Sequence, residues 1–191
     1  MAEAAMAAGA AGGAVSVTVR DLGPQGMVTL RGDLADAALA AVVTDITGAP
    51  MPGPRGITRG SGGAAAWMSP DELMLFLPAG TAGAAVARIG AALEGRHHLA
   101  LDVSDARAVL AVEGAWAREL LAKCSPADLH PDSLPEGEIR RTRLGQVAAA
   151  FWCEGDGIWR VIVFRSVAGY AQALLERSAG DGPVGVFGTA G

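Results

Sequence analysis

Cysteine is scarce: Cys124 and Cys153 are the only two in 191 residues. That excludes a disulfide framework, and their separation excludes a C-x-x-C redox or zinc pair. Each is flanked by apolar residues or a helix end, so both read as buried free thiols, which points to a reducing, cytoplasmic setting. Histidine is as sparse. His97 and His98 are adjacent and would point to opposite faces of a strand, and no third ligand lies near them in sequence. Positive charge is outnumbered, with 15 Lys and Arg against 20 Asp and Glu, a net of −5. Nucleic acid needs a concentrated positive field and is excluded as a partner. No strongly apolar, charge-free run is long enough to span a bilayer. The opening MAEAAMAAGAAGGAV has no Lys or Arg in front and no Leu-rich core. It is not read as a signal peptide, and residues 1–14 are expected to form a disordered tail. Nucleotide-binding glycine fingerprints, a nucleophile elbow and a zinc-protease helix are all missing. His130 sits among prolines, where a surface or hydrogen-bonding role is expected. No catalytic constellation is found.

What the chain does have is apolar residues. They make up 51% of it with the 27 glycines left out of the count, high for a soluble domain. Either alanine inflates the figure or apolar surface is buried against something other than the chain's own core. The length allows one sizeable core or two small halves.

The periodicities predict an α+β fold built from two plait-like strand-strand-helix blocks, mostly antiparallel sheets with helices packed on them. The first half spans 15–96. VSVTVR and MVTLR each alternate at period two around DLGPQG and read as a hairpin. Asp33 is the expected N-cap of a helix whose Leu34, Ala38 and Val42 share a face, stopped by Thr47-Gly48 and Pro50. PMPGPRGITRGSGG (50–63) is expected to lack regular structure. It is either a mobile solvated loop or a segment that orders only against another subunit, with Arg55 and Arg59 as its charges. Two paired strands follow, and LMLFL, apolar on both faces, should be a central one. Thr81 then caps a helix with Ala82, Val86, Ile89 and Leu93 on one stripe.

The second half spans 97–180 and is the better patterned. Leu99–Val103 and Arg107–Glu113 read as strands around Ser104-Asp105. Asp102 and Asp105 could pass for an acid-base pair, but turn and cap duty is the expected role. A helix with Trp116, Leu120 and Leu121 on its buried side follows, and then a Pro-marked loop. A meander over 138–164 comes next. Its first strand sets Arg141 and Arg143 on one face and Arg140 and Thr142 on the other, either an anion site, an ion-paired interface or a solvated face. Ser166 caps a last helix with the stripe Val167, Tyr170, Ala171, Leu174 and Leu175. Residues 181–191 read as a tail whose Val184, Val186 and Phe187 suit docking better than disorder.

LDVSD (101–105), VEG (112–114), LLAKCSPADLHPD (120–132), GEIRRTRL (137–144) and FRSVAGYA (164–171) together carry a resemblance, with WMSPDEL (67–73) further back. The chain resembles the gamma subunit of heterotetrameric sarcosine oxidase. More distantly it is similar to the aminomethyltransferase (glycine-cleavage T-protein) and folate-binding superfamily. The resemblance implies the fold of the first domain of the T-protein. It implies a non-catalytic role in a complex that demethylates sarcosine oxidatively to glycine, with peroxide and methylene-tetrahydrofolate as products. Alpha, beta and delta subunits would be the partners and would carry FAD, FMN, NAD, zinc and tetrahydrofolate, with none bound by this chain. Arg55, Arg59, Arg141 and Arg143 are then candidate partner contacts. Asp128 falls where aminomethyltransferases place a folate-site Asp and is the one folate candidate. The chain departs from those enzymes in lacking a second domain and in having CEGDG (153–157) where they place acidic residues after the meander. It also lacks the K-G-C-Y-x-G-Q-E stretch of folate-dependent iron-sulfur repair proteins. A stand-alone folate or one-carbon module and a plain α+β interaction domain are the alternatives.

Overall fold

The computed structural model describes residues 17–155 and 157–187. The tail expected at 1–14 and the last residues of the one at 181–191 lie outside them. In chain order the elements are β1 (Thr18–Asp21), β2 (Gly26–Gly32), α1 (Ala37–Thr47), β3 (Ile57–Gly60), β4 (Gly63–Ser69), β5 (Glu72–Leu77) and α2 (Ala82–Ala92). They continue with β6 (His98–Asp102), β7 (Arg107–Glu113), α3 (Ala117–Cys124), β8 (Ile139–Leu144), β9 (Val147–Gly155), β10 (Ile158–Phe164) and α4 (Ala168–Gly180). A short 3-10 turn, Arg165–Val167, leads into α4.

The strands form two five-stranded antiparallel sheets, ordered β1-β7-β10-β9-β8 and β3-β4-β5-β2-β6. Period-two alternation gives each sheet two buried faces. In the second sheet Val28, Leu30, Leu73 and Leu75 pack under Leu39, Val43 and Ile89 of α1 and α2. Leu110, Val112, Phe151 and Val161 of the first sheet pack under Leu120, Leu121 and Leu175 of α3 and α4. The remaining faces meet each other through Met27, Met74, Val109, Trp152 and Ile162. The result is a helix-sheet-sheet-helix sandwich. The α+β class with helices on mostly antiparallel sheets is as expected, and β5 is the middle strand of its sheet.

Several local expectations are corrected. β1 and β2 are not a hairpin: Thr18 pairs with Glu113 on β7, whereas Gly26 pairs with Leu77 on β5. β6 likewise leaves its sequence neighbour β7 and pairs with β2. The halves 15–96 and 97–180 therefore exchange a strand. Turn chemistry shows where a chain bends, while the partner is set by which buried strand still lacks a neighbour. Asp36 rather than Asp33 caps α1, its Oδ1 accepting from the amide of Ala38 at 2.8 Å. That hydrogen bond holds the Asp36 carboxyl below its ordinary range. Asp33 instead accepts from Ala35 one turn earlier, and the buried face becomes Leu39, Val42 and Val43. Thr81 sits at the N-cap of α2, but its hydroxyl donates back to the Pro78 carbonyl. Ser166 lies in the 3-10 turn and makes no cap, and Tyr170 is exposed, with Ala168, Ala171 and Leu175 buried in its place. Segment 50–63 holds β3, which pairs with β4 from Ile57↔Ala66 to Gly60↔Gly63.

Candidate functional site

One edge of the sandwich is laced shut. Gly56 and Glu138 form an isolated antiparallel bridge, the amide of Ile57 donates to Gly137 (2.9 Å), and that of Ile139 donates to Arg55 (2.8 Å). This main-chain seam joins β3 of one sheet to β8 of the other. Three of the four arginines singled out from sequence, Arg55, Arg59 and Arg141, make contacts across it. Arg55 donates to the Glu138 carboxylate and to the Ser133 carbonyl. Arg59 pairs with Glu154 of β9. Arg141 donates to the Met68 carbonyl at 2.8 Å and stands 3.8 Å from Glu72. Arg143 reaches only Gln146 within its own hairpin (3.3 Å). Arg140 points the other way, as the alternation required, and donates to Ser133. These contacts tie one sheet to the other while leaving each guanidinium of Arg55, Arg59 and Arg141 about half in solvent.

Beside the seam a small cavity of about 90 Å³ opens between the sheets, lined by Met68, Glu72, Met74, Arg107, Arg141 and Phe164 among others. Glu72 is 8% exposed and accepts from Arg31 at 2.9 Å. Arg107 has its guanidinium 3.7 Å from the centre of the Phe164 ring, and its Nε is buried without a hydrogen-bond partner. Burial pushes the Arg107 guanidinium pKa down; the nearby Glu72 opposes that shift and Arg141 adds to it. Neither Arg107 nor Glu72 stood out in the sequence. The available signal was a charge at the head of a mostly apolar strand, in RAVLAVE and in ELMLFL.

Asp128 lies in the loop after α3. Its Oδ1 accepts from the amide of His130 (2.9 Å) and its Oδ2 from the hydroxyl of Ser133, a hydrogen bond that, with the first, holds the carboxyl below its ordinary range. Both oxygens are thus occupied in shaping the loop. Asp102 serves its turn as expected, accepting from the amide and hydroxyl of Ser104, while Ser104 Oγ in turn accepts from the amide of Met27. Asp102 and Asp105 line an open cleft of about 580 Å³ together with Arg165, the Gly23–Gln25 turn and the Ala79–Gly80 turn. Cys124 and Cys153 are both free and buried. His97, His98 and His130 converge on no shared point, and among the described residues no three His, Cys, Asp or Glu side chains are grouped to hold a metal ion. Among the same residues no helix is long and apolar enough to cross a membrane.

The model of the sarcosine oxidase, gamma subunit family matches residues 31–181. The chain belongs to that family. Relatives within it include the sarcosine oxidase subunit gamma of Corynebacterium sp. (strain U-96), 34% identical over 164 residues, covering 83% of this chain and 77% of that one. The subunit gamma of an Arthrobacter species is 33% identical over 161 residues, with 83% and 76% covered. Among solved structures, a chain of the heterotetrameric sarcosine oxidase from Corynebacterium sp. U-96, in complex with pyrrole 2-carboxylate, superposes with a TM-score of 0.80 at 27% identity, covering 89% of this chain and 87% of that one. The glycine cleavage system aminomethyltransferase T of Bartonella henselae gives 0.63 at 14% identity, over 85% of this chain and 46% of the enzyme. That second likeness shows the fold alone, and it is the T-protein-like fold expected of a gamma-subunit family member.

Proposed function

We propose that the chain is the non-catalytic gamma subunit of a heterotetrameric sarcosine oxidase. The observation that carries this reading is the family match over 31–181 together with the superposition on 87% of a chain of such an assembly. The complex demethylates sarcosine oxidatively to glycine, with peroxide and methylene-tetrahydrofolate as products. The alpha, beta and delta subunits hold FAD, FMN, NAD, zinc and tetrahydrofolate in the cytoplasm, and this chain contributes packing surface. Arg55, Arg59, Arg141 and Arg143 serve as partner contacts at the laced edge. In support, Arg55, Arg59 and Arg141 stand about half in solvent at that edge, each beside an acidic side chain.

Co-expression with the larger flavoprotein subunit tests this. The chain is expected to co-purify with it and, alone, to oxidise no sarcosine. Failure to associate, or turnover by the isolated chain, overturns the reading. A stand-alone folate-binding module is the second reading, favoured by the aminomethyltransferase-like fold and by the position of Asp128. Calorimetry of the isolated chain with tetrahydrofolate decides it: absence of heat at about millimolar ligand, where even weak specific sites register, removes it.

A further inference from the structure

We infer that the cavity between the two sheets is a socket for one acidic side chain of a partner subunit, with Arg107 as its unmet cation and Leu99 and Leu101 as the apolar shelf beside it. The inference rests on the gamma-subunit reading and assigns a surface to it.

The charges lining the cavity are Glu72, Arg107 and Arg141. One positive charge is in excess. Glu72 is already engaged by Arg31 at 2.9 Å, and Arg141 already donates to Met68. Arg107 is different. Among the described residues its guanidinium rests on the face of Phe164, and its buried Nε has no acceptor. A buried N–H left without an oxygen acceptor is costly, and a carboxylate supplies the geometry it lacks. Size selects the source of that carboxylate. About 90 Å³ is well below the ~300–1,000 Å³ of sites that take small-molecule ligands. The cavity admits the end of an Asp or Glu side chain and no flavin, dinucleotide or folate.

The surroundings suit a protein partner. Leu99 and Leu101 are 46% and 49% exposed on β6, the edge strand of its sheet, and Phe164 is 44% exposed. Leu101 is registered on Thr29, which is registered on Met74; Leu99 is registered on Arg31, which is registered on Glu72. The two leucines therefore lie on the same face as the cavity floor, two strand spacings or roughly 10 Å away. Ala100, between them, faces the helices. An acidic residue flanked by apolar ones on a partner surface would fill the socket and cover the shelf together.

The test is binding of full-length variants to the co-expressed partner subunits. Arg107→Met keeps the stem against Phe164 and removes the charge. It is expected to weaken association at least about thirty-fold, the lower end of what truncating one partner of a desolvated charge pair costs. Arg177→Met, on the exposed side of α4, is expected to bind as the wild type does. Equal binding by wild type and Arg107→Met overturns the socket while leaving the gamma-subunit reading intact. Equal weakening by both variants also overturns it, since only net charge would then matter. If the wild type fails to bind, the gamma-subunit reading falls first. Should Arg107→Met fail to fold, Arg107→Lys decides: it keeps a positive charge on a similar stem but loses the planar fork, it is expected to bind more weakly than the wild type, and equal binding overturns the inference.

Discussion

The main chain of Arg55 accepts a hydrogen bond from Ile139 across the seam while Arg55 itself sits at φ 63°, the one left-handed non-glycine among the described residues. Left-handed backbone costs an L-residue roughly 1–2 kcal/mol, and the Arg55–Glu138 pair, half in solvent, returns at most about 1 kcal/mol. Arg55→Ala and Arg55→Gly both lose the ion pair, but only glycine relieves the strain. The Gly variant is expected to be the more stable by about 1 kcal/mol, the reverse of the usual order, read from chemical denaturation midpoints. An Ala variant equal to or above the Gly variant would show that position 55 relaxes.

Gly60 tests why segment 50–63 is rich in glycine. A Cβ there would lie 2.1 Å from the carbonyl carbon of Gly48 and 2.4 Å from the nitrogen of Ala49, main-chain atoms that cannot swing aside. Gly53 has open space around it. Gly60→Ala is expected to cost about 1–3 kcal/mol or more, and Gly53→Ala to stay within about 0.5 kcal/mol. Equal melting of the two variants would contradict the close packing of β3 on the end of α1.

The same segment shows what the sequence could and could not convey. Prolines and glycines at 50–63 signalled backbone freedom, yet Gly60 is there because another chain segment passes against it, a long-range fact with no local mark. Period-two and period-3.6 patterns report which face of an element is buried, and they correctly drew β5 as central, the β8-β9-β10 meander and the helical stripes of α2 and α3. They carry no information on pairing, so β1 read as half of a hairpin with β2, and nothing marked β6 as a strand of the other sheet. The charged edge was legible as a cluster on β8, and alternation separated Arg141 and Arg143 from Arg140 as observed. Arg107 and Glu72 were not, because each is only a charge heading a mostly apolar strand until the sheets stack.

Glu113 links three strands: it accepts from Arg160 on β10 at 2.7 Å and from Arg20 on β1 at 3.2 Å. The Arg160 hydrogen bond, aided by the charge of Arg20, holds the Glu113 carboxyl below its ordinary range. A carboxyl whose folded pKa lies below its unfolded one adds stability above the unfolded pKa, and that stability is lost as pH falls through the folded value. Glu113→Gln should therefore melt below wild type at about pH 7, and the gap should close as pH falls below the ordinary carboxylate range of about 4. A gap that does not change with pH would mean that the side chain acts through packing rather than charge.

Glu119 is 5% exposed, and its carboxylate accepts from the amides of Val184 and Gly185, the latter at 2.9 and 3.0 Å to its two oxygens. Lys123, one helical turn on, donates to the carbonyl of Gly182. Phe187 then lies edge-on to His130 at 6.5 Å and packs on the core under α3 and α4. The segment after α4 is thus held by its backbone, while Val184 and Val186 stay 71% and 66% exposed. Its sequence hinted at docking through Val184, Val186 and Phe187; Phe187 does pack on the core, while the valines stay exposed and the rest is held through amides that any residue but proline could supply. Glu119→Ala should release it. The expected result is at least about a ten-fold loss of hydrogen-exchange protection at Val184 and Gly185, with a global loss of about 1–3 kcal/mol. Truncation after Asp181 leaves the same carboxylate buried without its donors, so it should destabilise the protein at least as much as Glu119→Ala does. A truncated chain as stable as wild type would mean that water replaces the two amides, and that this segment is bound to the domain without supporting it.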